Sequence, residues 1–454
     1  MNSPTLERLF QPSSVALIGA SKEEGKLGHE ILRNLIEAGC QATLYPVNPK
    51  AEQILGLKTY PSVDSIPDKV DMAVIVVPAS AVPGIMEQCA KKGVGAAVVI
   101  SGGFREVGTQ GERLERDLVQ IARAAGIRVI GPNCQGINNP HFGLCATWPL
   151  VKRKGPIAII TQSGSVGAAI ACWAEEEGIG ISKCVALGNR VDVNECDLIE
   201  YFSEDPNTRV IAIYLEGVAD GQRFIKVCSS VSRKKPIVAL KGGRTLIGMK
   251  AMESHTKSLA GRDEVFDAVC RKTGIIRVDT LEQLFDIAKA SAFLSEPKDA
   301  GVLIVTSSGG FGILASDTAE RLGLKIPEPK EDAKKKLGAV LPSQCILSNP
   351  FDLTMTTAER YELVVKEMAS DPEISSFLAI FGDPISGAAE AISRAQRSTD
   401  KPIVVAYLGG SDIEKIERSK MHELGIPSFP SPERAIVAIQ GMLKRSQYLH
   451  ADHS

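Results

Sequence analysis

The sequence predicts an α/β protein, with one doubly wound parallel-sheet domain followed by two duplicated flavodoxin-like domains. Three observations lead there. Short, continuous apolar runs alternate with amphipathic stretches from the start of the chain, as strands covered on both faces by helices require. The 41 glycines, set against only 5% aromatics, suit many tight strand-to-helix turns. Beyond residue 155 the sequence repeats itself.

In the first domain, 1–140, Val15-Ala16-Leu17-Ile18-Gly19 reads as a buried strand and 26–38 as an amphipathic helix. Further strands are expected at 42–47, 72–77, 96–100 and 128–130, with helices at 82–92 and 112–124. The segment 140–155, rich in proline, glycine and charge, reads as a loop leading onward.

The repeat is exact enough to align. Ile157-Ala158-Ile159-Ile160-Thr161-Gln162-Ser163-Gly164 matches Val302-Leu303-Ile304-Val305-Thr306-Ser307-Ser308-Gly309 at a shift of 145. Asn189 and Asp192 match Asn349 and Asp352 at 160, and Lys235-Pro236-Ile237-Val238 matches Lys401-Pro402-Ile403-Val404 at 166. The shift then falls to 151 at Gly274-Ile275 and Gly425-Ile426. Two copies therefore occupy 156–296 and 299–454, and the first holds about 15 residues that the second lacks. That insertion contains His255. An insertion confined to one copy of a duplicated scaffold points to function, a variable surface loop being the alternative.

Composition narrows the field. A net charge of −2 gives no global bias toward nucleic acid or an acidic membrane surface. No apolar run is long enough to span a bilayer, and the polar start lacks a signal-peptide core, so a cytoplasmic protein is expected. The 10 cysteines include no C-x-x-C pair and no cluster with histidine, and read as reduced thiols rather than a disulfide framework or metal site.

The chemistry-bearing segments lie where apolar runs end. Gly19-Ala20-Ser21, followed by Lys26 and Gly28, opens the first helix with small residues, letting backbone approach a phosphate. It is not G-x-G-x-x-G, and the alternative is a glycine-rich connection without a ligand. Asn48-Pro49-Lys50 ends the second strand. A lysine there suits an extra phosphate, such as the 3′-phosphate of CoA or the 2′-phosphate of NADP. Val77-Pro78, Ser101-Gly102 and Asn133 end later strands on the same carboxyl edge, where open α/β sheets bind ligands. Ser163-Gly164-Ser165 joins a strand to a helix and offers hydroxyls and a helix dipole to an anion; plain N-capping is the competing explanation. Ser308-Gly309-Gly310 is its duplicate. His255 lacks neighbours at metal-ligand spacing, but a neutral imidazole oriented by an acceptor can attack a phosphoryl group. Glu216, ending the strand 210–215, is the candidate acceptor; a solvated turn acid is the plainer reading.

Together Gly19-Ala20-Ser21 with Gly25 and Gly28, Pro46-Val47-Asn48-Pro49-Lys50, Gly131-Pro132-Asn133, Gln162-Ser163-Gly164, Leu187-Gly188-Asn189 and Ser254-His255-Thr256 through Gly261 carry a family resemblance. The chain resembles the α subunit, or CoA-binding portion, of the NDP-forming acyl-CoA synthetases, relatives of succinyl-CoA synthetase. The resemblance implies a Rossmann-like CoA-binding domain followed by two ligase-like domains. It further implies reversible conversion of acyl-CoA, phosphate and ADP into carboxylic acid, CoA and ATP. In that scheme acyl phosphate forms first, and its phosphoryl group passes to His255, whose loop carries it to the nucleotide. Glu216 orients or stabilises the histidine, while Ser163, Gly164 and Ser165 hold phosphate at one helix end and Ser308, Gly309 and Gly310 at an opposing one. Lys257 stands where relatives commonly have glycine, and Cys196 replaces a usual serine.

The family also needs an ATP-grasp module for the nucleotide and Mg2+. With the chain filled by three domains and no Walker A sequence present, a separate β subunit is expected, in an α2β2 assembly. Trp148, Pro149 and the segment near Phe142 are placed by location alone to line an acyl pocket. Two other readings compete. A non-catalytic CoA sensor would have no use for His255, and an NADP-linked dehydrogenase lacks its glycine fingerprint here.

Overall fold

A computed structural model describes residues 4–256, 261–354 and 356–451, without the side chains of 4–5 and 253–256. The chain divides into two compact units: Met1–Glu176 with Gly180–Thr273, and Glu177–Ile179 with Gly274–Ser454.

The first unit begins with a parallel sheet ordered Thr43–Val47, Ser14–Ile18, Met72–Ile75, Ala96–Val99, Arg128–Ile130. Its inner strands are wholly buried and, Ser14 apart, apolar, as the continuous runs predict. The chain runs outward in opposite directions from Ser14–Ile18, so Gly19 stands at the topological switch point, where such sheets open a crevice. Glycine is required there. Its φ is 93°, and a Cβ would come within 2.1 Å of the Val76 carbonyl oxygen.

A second sheet follows, in which Lys154–Thr161 runs parallel to both Ile181–Ala186 and Val210–Leu215, with Ile237–Lys241 beyond. The stretch expected as a loop at 140–155 differs. Leu144–Ala146 is a buried strand that pairs with Gly136–Asn139, which in turn runs antiparallel to Ile181–Ala186. This hairpin ties the first domain into the second sheet. Pairing is possible because the buried amides are anchored: Asn138 donates to the Val151 carbonyl at 2.8 Å and Asn139 to that of Phe10 at 2.9 Å.

The insertion specific to the first copy is helical. Leu246–Thr256 and Asp263–Thr273 stand between Ile237–Lys241 and Gly274. The second copy has only Ser411–Glu423 between its strand Ile403–Tyr407 and Gly425. Thus His255 belongs to the last turn of a helix rather than to an open loop; its side chain, and Lys257 entirely, lie outside the described residues. Cys196 fills a buried place under a capping box, where the Asn194 side chain accepts its N–H at 2.9 Å.

The second unit has one parallel sheet, ordered Phe351–Asp352, Val302–Thr306, Ser376–Phe381, Ile403–Tyr407, Ser428–Phe429. The helix Leu281–Phe293, which ends the first copy of the sequence repeat, packs in this unit against Pro432–His450. Gly441 permits the approach, since a Cβ would lie 2.7 Å from Ile287. Arg434 clasps Asp286 through two bonds, at 2.6 and 2.8 Å.

Beside that clasp is a buried polar cluster. The Lys289 ammonium donates to Glu177 at 2.7 Å and to the Ser428 carbonyl at 2.8 Å, and lies over the Phe429 ring. His422 meets the Glu177 carbonyl through Nδ1 and the Ser428 hydroxyl through Nε2, the latter at 2.9 Å. Burial, reinforced by the Lys289 charge, pushes the imidazole down to about 4. The unfolded chain therefore binds a proton at this position between pH 6.5 and 4 that the folded unit excludes. Stability is full above the unfolded value and is lost as pH falls toward the folded one, by up to about 3 kcal/mol from this group. Urea melts at pH 7 and pH 5 are expected to show a smaller difference in His422→Gln than in the parent.

Candidate functional site

Two strand-to-helix turns converge on a cavity of the first unit. Lys154–Thr161 delivers Thr161-Gln162-Ser163 to the helix Gly164–Glu176. Thr161 closes the turn on itself, its hydroxyl donating to the Ser163 carbonyl at 2.6 Å and accepting the Ser163 N–H at 3.1 Å. The Ser163 and Ser165 hydroxyls are 3.2 Å apart, at the positive end of the helix. Next to this turn, Val210–Leu215 ends in Glu216, which is 8% exposed. Gln162 fixes its backbone: the side-chain oxygen accepts the N–H groups of Glu216 at 2.7 Å and Gly217 at 3.1 Å, while the amide nitrogen donates to the Gly217 carbonyl at 2.8 Å.

The cavity measures 360 Å3, and its walls include Asn133, Gln162, Ser163, Gly164, Ser165, Asn189, Arg190 and Glu216. The structure thus brings together the expected phosphate turn, the expected acid and one residue of the first-domain edge. Several contributors were not singled out from sequence. Arg190, with φ of 54°, donates to the Gly217 carbonyl at 2.7 Å and to Glu195 at 3.2 Å. Arg105 donates to the Asn189 carbonyl at 2.5 Å, and the Asn189 amide donates to Glu106 at 2.9 Å and Glu115 at 2.8 Å. Burial works against ionisation of Glu106, but the Asn189 amide and the N–H groups of Phe104 and Gly103 together hold its carboxyl below the usual range. Arg190 follows the Leu187-Gly188-Asn189 motif directly, and that adjacency was the available signal.

The remaining first-domain candidates occupy the carboxyl edge of the first sheet. Gly28 packs so closely that a Cβ would meet the Gly19 carbonyl at 2.0 Å. Asn48 donates to the Ala20 carbonyl at 2.7 Å and accepts the Lys50 N–H at 2.8 Å, holding Lys50 in an exposed turn. Ser21 accepts the Glu23 N–H at 3.0 Å, and Lys26 pairs with Glu23 at 2.8 Å on the surface. Ser101 accepts the Val77 N–H at 3.1 Å beside exposed Pro78 and Gly102, and its carbonyl takes the Asn133 N–H at 2.8 Å.

Ser308, Gly309 and Gly310 open the helix Gly309–Arg321 in the second unit, through a turn of the same design. The Thr306 hydroxyl donates to the Ser308 carbonyl at 2.9 Å and accepts its N–H at 3.0 Å. The surroundings differ, however. The Asp352 carboxylate lies 2.9 Å from where a Gly309 Cβ would stand, placing negative charge at this helix end. The position equivalent to Glu216 at a shift of 166 is Gly382. Among the described residues no group of three acidic, histidine or cysteine side chains is arranged to hold a metal.

Truncating Gln162 leaves the Glu216 and Gly217 backbone groups without their partner. Gln162→Ala is expected to destabilise the first unit by about 2 kcal/mol in denaturant titration, a loss too large for a surface substitution.

Comparisons with known proteins bear on the family. A CoA binding domain model matches residues 13–140, a succinyl-CoA ligase like flavodoxin domain model 154–291 and a ligase-CoA domain model 302–451. The chain is 43% identical over 457 residues to the acetate–CoA ligase [ADP-forming] I subunit alpha of Pyrococcus furiosus, covering 98% of each chain. It is 40% identical to the acetate–CoA ligase [ADP-forming] I of Archaeoglobus fulgidus and spans 63% of that protein. Among solved structures, a dinucleotide forming acetyl-coenzyme A synthetase 1 of Ca. Korarchaeum cryptofilum, in complex with phosphate and ADP, superposes with a TM-score of 0.91 at 37% identity over 100% of both chains. The α/β architecture and the family resemblance expected from sequence are both borne out, and the chain belongs to the α subunits of the ADP-forming acyl-CoA synthetases, acid–thiol ligases with a CoA-binding domain.

Proposed function

We propose that this chain performs the acyl and phosphoryl transfers of the ligase and passes the phosphoryl group to a separate nucleotide-binding subunit. The observation that carries the reading is the single cavity shared by Ser163-Gly164-Ser165, Glu216 and Asn133. CoA lies along Gly19, Ala20, Ser21, Lys26, Gly28, Asn48, Lys50, Val77, Pro78, Ser101, Gly102 and Asn133, with the thioester directed toward the Ser163 turn. Phosphate sits against the Ser163 and Ser165 hydroxyls and the helix end. One of its oxygens attacks the acyl carbonyl, and the carbon–sulfur bond breaks, giving acyl phosphate and CoA thiolate. The imidazole of His255 then attacks phosphorus, and the carboxylate leaves.

Glu216 suits the acceptor role. Its carboxylate is largely withdrawn from water on a backbone fixed by Gln162, so it can hold the far imidazole nitrogen and steady the positive charge that develops there. The turn before the histidine helix is likewise built, with buried Lys241 donating to the Gly242 carbonyl at 3.0 Å and to that of Gly243 at 3.3 Å. Ser308-Gly309-Gly310 forms the second phosphate-holding helix end in this scheme, although Asp352 makes it the weaker anion site of the two.

The nucleotide and its Mg2+ belong to an ATP-grasp β subunit in an α2β2 cytoplasmic assembly. The existence of relatives named as α subunits, and of several longer relatives, supports a partner carrying further chain. Incubation with acetyl-CoA and radiolabelled phosphate is expected to place an acid-labile, base-stable label on the parent chain and none on His255→Asn. Glu216→Gln should lower labelling about 100-fold. Absence of label in the parent with a verified partner present leaves the CoA-sensing reading instead.

A further inference from the structure

Glu216 and the histidine helix rise from neighbouring strands. Leu215 pairs with Lys241 in the parallel register of Val210–Leu215 and Ile237–Lys241, and the Gly242 N–H donates to the Leu215 carbonyl at 2.8 Å. Glu216 and the first residue of the turn toward Leu246–Thr256 are therefore adjacent across the sheet edge. Past that bond the turn leaves the sheet, and Lys241 meets its carbonyls instead. Lys241 is 4% exposed, and its ammonium donates to the Gly242 carbonyl at 3.0 Å and to that of Gly243 at 3.3 Å. Burying an ammonium costs free energy that a neutral donor would not, but a charged donor holds its acceptors more firmly.

The other links between strand and helix are fixed as well. The turn rests on the Tyr214 ring, whose hydroxyl lies 2.5 Å from where a Gly242 Cβ would stand. Arg244 pairs with Asp263 at 3.7 Å, tying the turn to the helix Asp263–Thr273. At the start of the histidine helix the Thr245 hydroxyl accepts the Gly248 N–H at 3.1 Å.

The sequence repeat supplies an internal control. At the shift of 166, Tyr214, Glu216 and Lys241 become Ile380, Gly382 and Tyr407. The strand end itself is unchanged, since Phe381 pairs with Tyr407 and the Leu408 N–H donates to the Phe381 carbonyl at 3.0 Å. Tyr407 serves its own core, its hydroxyl donating to the Ile385 carbonyl at 2.8 Å. The sheet edge thus forms without an ammonium. The copy that has one is the copy with an acid and a helix to place.

We infer that Lys241 is a positioning residue for the phosphoryl step: its ammonium holds the turn beneath the histidine helix at a fixed offset from Glu216 on the neighbouring strand. The inference rests on the ligase reading above, in which His255 takes the phosphoryl group and Glu216 steadies it.

Two half-reactions of the full chain test this. Arsenate in place of phosphate, in the His255→Asn background, reports the thioester step alone as release of CoA thiol from acetyl-CoA, because acetyl arsenate hydrolyses in water. Radiolabelled acetyl phosphate reports the phosphoryl step alone, as label on His255. Lys241→Met keeps the stem and removes the charge. It is expected to take label about 10-fold more slowly than the parent, at an unchanged half-saturating acetyl phosphate, and to keep the parent's rate of arsenolysis. Gly242→Ala should act in the same way by pressing the turn off Tyr214, and adding Tyr214→Phe to it should recover part of the loss. That pair decides the matter if urea melts show that Lys241→Met does not fold. Labelling at the parent's rate in the single variants, equal loss of both steps, or no recovery in the double variant overturns the inference and leaves the ligase reading standing. A parent that takes no label from acetyl phosphate, with a verified partner present, removes that reading and the inference with it.

Discussion

The clamp formed by Gln162 is the contact on which the first unit's site depends. One side chain, buried between two strand ends, accepts two backbone N–H groups and donates to one carbonyl. It sets the spacing between the turn that opens the helix Gly164–Glu176 and the turn that carries Glu216. Parallel strands leave their terminal backbone groups unpaired at the carboxyl edge, and those groups cost free energy unless something meets them. Here the group that satisfies them also positions the acid. The self-closed Thr161 turn does the same for the helix end, fixing Ser163 while leaving the Ser163 and Ser165 hydroxyls adjacent.

Duplication shows which parts of this arrangement are scaffold. Thr306 closes its turn with the same two hydrogen bonds as Thr161, so that feature belongs to the βα unit itself. The clamp is reduced: Ser307 accepts a single N–H, from Gly382 at 3.0 Å. Gly382 carries no carboxylate, and no helix intervenes between Ile403–Tyr407 and Ser411–Glu423 to match Leu246–Thr256. Acid and histidine helix are therefore present in one copy and missing from the other together. That joint presence is what a shared task predicts, and independent drift of two loops gives no reason for it.

Much of this was legible from the chain. Buried parallel strands are continuous apolar runs, so Ser14–Ile18, Met72–Ile75 and Ala96–Val99 stand out directly. Glu216 was legible because it ends such a run. The hairpin Gly136–Asn139 with Leu144–Ala146 was not, since a strand reading Gly-Ile-Asn-Asn looks like a turn until its amides find distant carbonyl partners. Helix Leu246–Thr256 was hidden for a related reason: Leu246 and Ile247 are exposed, and no apolar stripe marks a buried face. Arg105 and Arg190 gain their places from tertiary contacts with carbonyls far along the chain, which no local pattern encodes.

Those two arginines also explain the character of the cavity. Each is already engaged, Arg190 with Glu195 and Arg105 with Glu115, while Asn189 is shared between Glu106 and Glu115. Cationic side chains line the space, but their charge is largely answered by acids in the walls. An anion entering that space would meet mainly a helix dipole and hydroxyl groups, whose attraction is moderate and directional. A strong point charge would bind phosphate tightly in the ground state and raise the barrier to passing it on. In the proposed relay, stabilisation confined to the positions where charge moves would lower the barrier to phosphoryl transfer in both directions alike.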